Sequence, residues 1–442
     1  MTARLTRRAA LLMPAALLSG CSLMDSWFGN SKPRLPGKRE SIGTGESTGL
    51  KVDLAHLSDV TLPSPVENRD WPQPGGDPAH VMGNLAGERY RRLWSSAIGE
   101  GTGYRQRITS RPIVVGGRVY AMDADAVVTG YDLTHGRRMW RTETQGKKDR
   151  SFNVGGGIAS DGRLIYAATG RAEVLALDPA SGAIRWRNTV DAPARAAPTV
   201  AGGRLYFPTI EDQLLALSVE NGSQVWSYQA QNAATSMLGQ PSPAVSADIV
   251  VAGFGSGDLA ALRSDTGSTV WTDTLASSQS ADSLAAISAI RGLPVIDNER
   301  VYAIGLGGLM LCLDLRSGRR LWERDVGGSE TPWVAGEWVF VLTDQQQLAA
   351  LHRDDGHARW IADLPNWKNP QKGEGPIYWV GPVMMGGRLV VMSSDRQMIA
   401  LDARNGRDLG WQKLQTSISL TPIVAQARLL SIGDDGQLAA YG

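Results

Sequence analysis

Apolar residues recur along this chain in short runs set off by turn residues, and one such arrangement returns about every 45 residues. Its clearest copy is Leu175 to Trp186, L-A-L-D-P-A-S-G-A-I-R-W: an apolar strand end, a tight turn closed by Gly182, and a Trp four residues later. The turn glycines are Gly136, Gly182, Gly222, Gly267, Gly318, Gly356 and Gly406, and each is followed by its tryptophan: Trp140, Trp186, Trp226, Trp271, Trp322, Trp360 and Trp411. Six of these spacings are four residues and the last is five. A second pattern precedes each copy, as in P-I-V-V-G-G-R-V-Y-A from Pro112, P-T-V-A-G-G-R-L-Y-F from Pro198 and P-V-M-M-G-G-R-L-V-V from Pro382. Gly-Gly between two apolar runs admits the positive φ of a primed turn and reads as a two-residue hairpin. Each repeat thus holds an inner hairpin, a third strand ending in L-x-A-L-D and a fourth carrying Trp.

Repeats of this length built from short strands predict a β-propeller with one four-stranded antiparallel blade per repeat. After Trp411 the chain supplies an inner hairpin and a third strand, Leu438 to Tyr441, without a fourth. Arg89 to Ala97 fits the vacancy, since its Trp94 lies 46 residues before Trp140. The expected fold is therefore all-β, an eight-bladed propeller over 86–442, closed by pairing an N-terminal strand with the C-terminal three. Closure of this kind removes exposed sheet edges. The eight tryptophans Trp94, Trp140, Trp186, Trp226, Trp271, Trp322, Trp360 and Trp411 are then expected to act as packing wedges between blades.

Ahead of the repeats the pattern changes. Arg4, Arg7 and Arg8 precede an apolar run, Ala9 to Leu18, too short to span a bilayer permanently, and the run ends L-S-G-C. Residues 1–20 read as a lipoprotein signal peptide and Cys21 as the lipidated N-terminus. Residues 21–85, rich in Gly, Ser, Pro and charge, read as a flexible periplasmic tether. Of the two cysteines this leaves Cys312 without a partner, in the third strand of a blade, where a small apolar side chain is the expected role.

Composition adds exclusions. The 51 glycines suit many tight turns, and 45 basic against 44 acidic residues give no reason to expect nucleic acid. The five histidines form no metal-ligand spacing. No nucleophile-elbow sequence occurs, and G-F-G-S-G from Gly253 falls inside a blade, so no catalytic residue and no metal are expected. Insertions fall between the fourth strand of one blade and the first of the next, roughly 229–240, 275–293 and 364–379. Repeat proteins place insertions on the binding face. The second loop sets Leu284, Ile287 and Ile290 at helical spacing between Asp282 and Arg291, which predicts a short amphipathic helix. The third carries Trp367, Tyr378 and Trp379 beside Lys368 and Lys372. Trp367 is a candidate contact, and Trp379 is expected in the core.

The L-x-A-L-D-x-x-x-G-x-x-x-W repeat resembles that of the pyrroloquinoline-quinone-type propellers. With the lipobox, the eight-blade length, L-D-L-R-S-G-R-R-L-W from Leu313 and P-I-Y-W from Pro376, the chain is similar to the lipoprotein-propeller family of the outer-membrane β-barrel assembly machinery. The resemblance implies a protein without enzymatic activity or cofactor, lipid-anchored at the periplasmic face of the outer membrane. It implies binding to the POTRA domains of the barrel-forming subunit BamA and association with the rest of the machinery, with unfolded outer-membrane proteins as candidate clients. By repeat position the family's contact loops fall on Thr235, Met237 and Leu238, and on Ala286 and Ser288. The family's Arg is replaced by Leu238 and its two Asp by Ala286 and Ser288; Asp282 and Arg291 are neighbouring charges suited to take over. Two alternatives remain: an envelope scaffold for another partner, and a quinoprotein dehydrogenase, which would need a calcium held by Glu, Asn and Asp.

Overall fold

Gly-Gly turns form the inner hairpins of three blades. Gly116 and Gly117 take φ of +58° and +75° with no atom near where a side chain would stand, and the chain returns at once from Ile113–Val115 to Arg118–Met122. The structure is a computed structural model and describes residues 49–53, 59–104, 106–146, 151–231, 239–275 and 289–442. Among them there are eight four-stranded antiparallel sheets, one two-stranded hairpin and no helix. The first seven blades are sequential, starting from Ile113–Val115; the eighth orders Ile423–Ala425, Arg428–Ile432 and Gln437–Tyr441 beside Arg92–Ala97. The closing register runs from Arg92 opposite Tyr441 to Ala97 opposite Gln437. The expected propeller and its closure are therefore the fold.

The Trp motif works through three linked features. The Asp of L-D caps the turn: Asp178 accepts the N–H groups of Ala180 and Ser181 at 3.0 Å, and hydrogen bonds from Arg185 and Ser181 hold its carboxyl down to about 2. The turn glycine then lies beneath the Trp of the preceding blade. At Gly182, φ is +73° and an added Cβ would stand 2.4 Å from the Trp140 ring. The indole finally donates to a turn carbonyl of that next blade, Trp140 to Pro179 at 3.0 Å and Trp360 to Ala403 at 3.1 Å. Within its own sheet each such Trp sits opposite a small residue: Ala176 for Trp186, Ala350 for Trp360, Cys312 for Trp322. That slot explains Cys312, which is buried, its thiol pushed up to about 12 by desolvation.

Trp411 departs from the expectation. Its five-residue spacing places Gly410 opposite Ala400 in the wedge position, and Trp411 falls opposite Ile399 instead. A one-residue slip turns a strand side chain to the other face, and Trp411 is 66% exposed whereas Trp360 is 7%. The next blade also offers no turn to receive it, because there the third and fourth strands come from opposite ends of the chain. Seven tryptophans are wedges and the eighth is not.

The expected tether also needs correction. Residues 54–58 and those before 49 lie outside the described residues, but 59–85 pack into the ring, with Val60, Trp71, Gln73, His80 and Leu85 buried. The segment visits the innermost strand of every blade in turn. The Asn68 carbonyl takes the N–H of Gln426 at 2.8 Å, and Trp71 exchanges both backbone bonds with Val114. Pro72, Pro78 and Ala79 accept from the N–H groups of Ser160, Val245 and Ile296, and the Gln73 side chain accepts from Val200. Gly83 accepts from the Trp333 indole, and Leu85 takes the N–H of Gly386. Innermost strands have a free edge facing the axis, and its donors must be satisfied somewhere. This girdle takes at least one donor from each of the eight blades, at the end of the ring that carries the tight hairpins.

Candidate functional site

Antiparallel pairing sends the fourth-strand-to-first-strand loops to the opposite end from the girdle's hairpin contacts. Here the segments just before the innermost strands converge on the axis. Thr109, Arg111, Arg195, Gln240, Arg291, Glu330 and Thr421, from six blades, line a cleft of ≈ 110 Å³ whose lining also includes Pro74 of the girdle. The girdle thus contributes to the cleft from within.

The cleft carries three guanidinium groups and one carboxylate. Arg111 donates to the Thr421 hydroxyl at 3.3 Å, which donates in turn to Glu330 Oε2 at 2.6 Å; the Gly381 N–H also points at that oxygen, at 3.2 Å. Burial pushes Glu330 up despite the Arg111 charge and these hydrogen bonds. Arg195 is 7% exposed and donates to the Val154 carbonyl at 3.2 Å, while its Nε has no partner. Desolvation lowers its value, with no acid opposing. Gln240, buried too, donates to Asp212 and leaves Oε1 unpartnered.

Of the expected contact residues, the structure brings Arg291 into this cleft, exposed and beside Gly239. The two loops that carry the others end here, with Gln240 closing the first and Arg291 near the close of the second. Thr235, Met237, Leu238, Asp282, Leu284, Ala286 and Ser288 lie outside the described residues, as does Cys21. The predicted helix does not reach Ile290, which is buried in an isolated bridge with Gly305. Trp367 is 37% exposed on a small hairpin, Trp367–Asn369 with Glu374–Pro376, away from the cleft's lining. Trp379 is buried as expected, its indole donating to Pro365 at 2.7 Å. Sequence reading passed over Arg111, Arg195 and Glu330; their shared signal is a charge a few residues before an innermost strand, as at Arg291. Away from the axis, Glu337, His352 and Asp354 offer ligand atoms within 4.8 Å of one another, a grouping that surface acids often make without an ion.

A model of the family "Outer membrane protein assembly factor BamB" matches residues 124–362 and 365–442. An outer membrane protein assembly factor BamB from Yersinia pestis is 27% identical over 357 residues, 79% of this chain and 88% of the relative. Among solved structures, BamB from Moraxella catarrhalis superposes with a TM-score of 0.66 at 20% identity, over 78% of this chain and 99% of that one. A quinohemoprotein alcohol dehydrogenase from Comamonas testosteroni superposes with a TM-score of 0.65 at 14% identity, over 84% and 80%, a likeness of fold alone. Of the Glu, Asn and Asp ligands that the dehydrogenase alternative would need, the cleft's lining offers Glu330 alone.

Proposed function

Because the chain belongs to the family of the outer membrane protein assembly factor BamB, we propose that it is an assembly factor rather than an enzyme, and that it serves outer-membrane β-barrel proteins. It is held by lipid on Cys21 at the periplasmic face of the outer membrane and binds the POTRA domains of BamA. The loops 229–240 and 275–293 make that contact, with Met237, Leu238, Asp282 and Arg291 as principal residues and Trp367 at its margin. The observation that supports this reading most is the family match from the third strand of the first blade through the last strand of the ring, together with the convergence of both loops at one end of the ring. Among the described residues the girdle reaches the inner face of every blade and seven of the eight outer seams are wedged by a Trp, which suits a rigid platform presenting loops.

The test is affinity purification of the tagged protein from envelopes with quantitative mass spectrometry. Stoichiometric BamA is expected, and Met237→Glu with Leu238→Glu should reduce it severalfold at unchanged melting temperature. Recovery of the protein without BamA would refute the reading; loss of binding in step with loss of thermal stability would refute the residues.

A further inference from the structure

We propose that the seam between the seventh and eighth blades is a docking site for an acidic peptide segment that inserts one tryptophan. The inference goes beyond the assembly reading and does not depend on it. In the seam before it, Trp360 stands opposite Ala350, buried, on the face turned to the next blade. The corresponding pair in the seventh blade is Gly410 opposite Ala400, and a Cβ added at Gly410 would meet nothing within 4 Å. A cleft of ≈ 230 Å³ opens there, its lining including Ala400, Gly410, Met398, Gln412, Tyr90 and Arg388. It is the wedge position without its wedge. On the side of the eighth blade, where the other seams present an Asp-capped turn, the Gly442 N–H donates to the Arg91 carbonyl at 2.9 Å and the Gln412 amide to the Tyr90 carbonyl at 3.0 Å.

Floor and rim define the occupant. Ala400 and Met398 at the floor are buried and apolar, and a gap beside them forfeits dispersion contacts that a flat apolar ring would restore. A cavity of about 150 Å³ accepts benzene, so this cleft admits the larger indole. The other seams of the same ring show indole to be the side chain that fits between two such sheets. Leu409 and Trp411, both exposed, border the opening and offer apolar contact to the residues on either side of the inserted ring. Arg388 in the lining is joined by Arg89 and Arg91, which flank Tyr90, and by Lys413, next to Gln412; these three are exposed. Arg388 donates to the Glu88 carbonyl, a neutral acceptor, at 3.1 Å. Asp408, the acid adjoining the lining at Leu409, is turned back on its own strand and accepts the Gly410 N–H at 2.7 Å. A rim of this sign is complementary to Asp and Glu flanking the tryptophan.

Fluorescence anisotropy of a short dye-labelled peptide, Trp at its centre and Asp or Glu on either side, titrated with the purified chain, tests this. Saturable one-to-one binding with a Kd of about 10–100 µM is expected. Replacing the peptide's Trp by Ala should weaken binding at least about tenfold, and replacing its acids by Lys severalfold. Ala400→Met fills the cleft from its floor and should weaken binding at least about tenfold while the melting temperature holds or rises. Arg91→Glu with Lys413→Glu, both at exposed positions, should weaken binding severalfold, a check that stands even if the Ala400 variant folds poorly. No saturation by about 1 mM, binding indifferent to the peptide's Trp, or affinities unmoved by either protein variant would overturn the proposal. Sedimentation in parallel reads the rival occupant: a dimer that Ala400→Met dissociates would assign the cleft to a second copy of this chain and overturn the peptide.

Discussion

Replacing two tryptophans that the sequence presents as equivalents tests the wedge packing most sharply. Trp360 is 7% exposed, stacks near Phe340 with ring centroids 6.1 Å apart, and donates to Ala403. A Trp side chain buries about 200 Å², so at about 25 cal/mol/Å² Trp360→Ala forfeits roughly 4–5 kcal/mol, consistent with typical costs for Trp→Ala in cores. Trp411, 66% exposed, keeps about a third of that contact, roughly 70 Å² and at most about 1–2 kcal/mol. With an unfolding entropy of about 2 cal/mol/K per residue over roughly 350 residues, the melting temperature should fall by about 6 °C for Trp360→Ala and about 2 °C for Trp411→Ala. Differential scanning calorimetry at one scan rate reads both. Equal losses, or a larger loss for Trp411→Ala, would refute the claim that the five-residue spacing moves the eighth Trp out of the wedge position.

Burial lowers His80 to about 4 from an ordinary 6.5, so the unfolded chain binds that proton more readily than the folded one. Its contribution to stability is complete above about 6.5 and is lost as pH falls toward 4, by up to about 3 kcal/mol; His80→Gln should flatten the urea-midpoint profile in that window. Asn84 is buried, donates to Pro63 at 2.8 Å and accepts from Gly387 at 2.9 Å, and Asn84→Ala should cost about 2–3 kcal/mol in urea denaturation; a neutral change would deny the girdle a structural part. Deleting 437–442 removes the strand between Arg92–Ala97 and Arg428–Ile432, so the ring should open and aggregate on size-exclusion chromatography. A truncated protein eluting and melting as before would refute closure by the two termini.

The blades were legible because each is a local pattern: hairpin, strand, Asp-capped turn and Trp fall within one repeat. The odd spacing from Gly406 to Trp411 was visible as well, but its meaning was not. Only the register, with Gly410 opposite Ala400, shows that an extra residue reverses the face of the side chain. The girdle was illegible for another reason. Asn68, Pro72, Pro78, Ala79 and Leu85 act chiefly through backbone carbonyls, which leave no side-chain periodicity, so the Gly- and Pro-rich segment read as a tether. The axial cleft joins Arg111, Arg195 and Glu330, brought together only when the ring closes.

These two hidden features depend on one property of the fold. A propeller leaves the inner edge of eight innermost strands open toward its axis, and short strands cannot pair across the gap. Here one chain segment fills the hairpin end of that gap with backbone hydrogen bonds, and charged side chains collect at the other end, where the loops leave. The girdle precedes the repeats in sequence yet must contact all eight blades, so its last contacts form only after Gln426 is in place. Ring closure by the two termini and threading of the axis are therefore coupled. Weakening the girdle at Asn84 should on that account also loosen the seam between Arg92–Ala97 and Gln437–Tyr441, and hydrogen exchange should show faster opening of that strand pair in Asn84→Ala than of the wedged blades opposite.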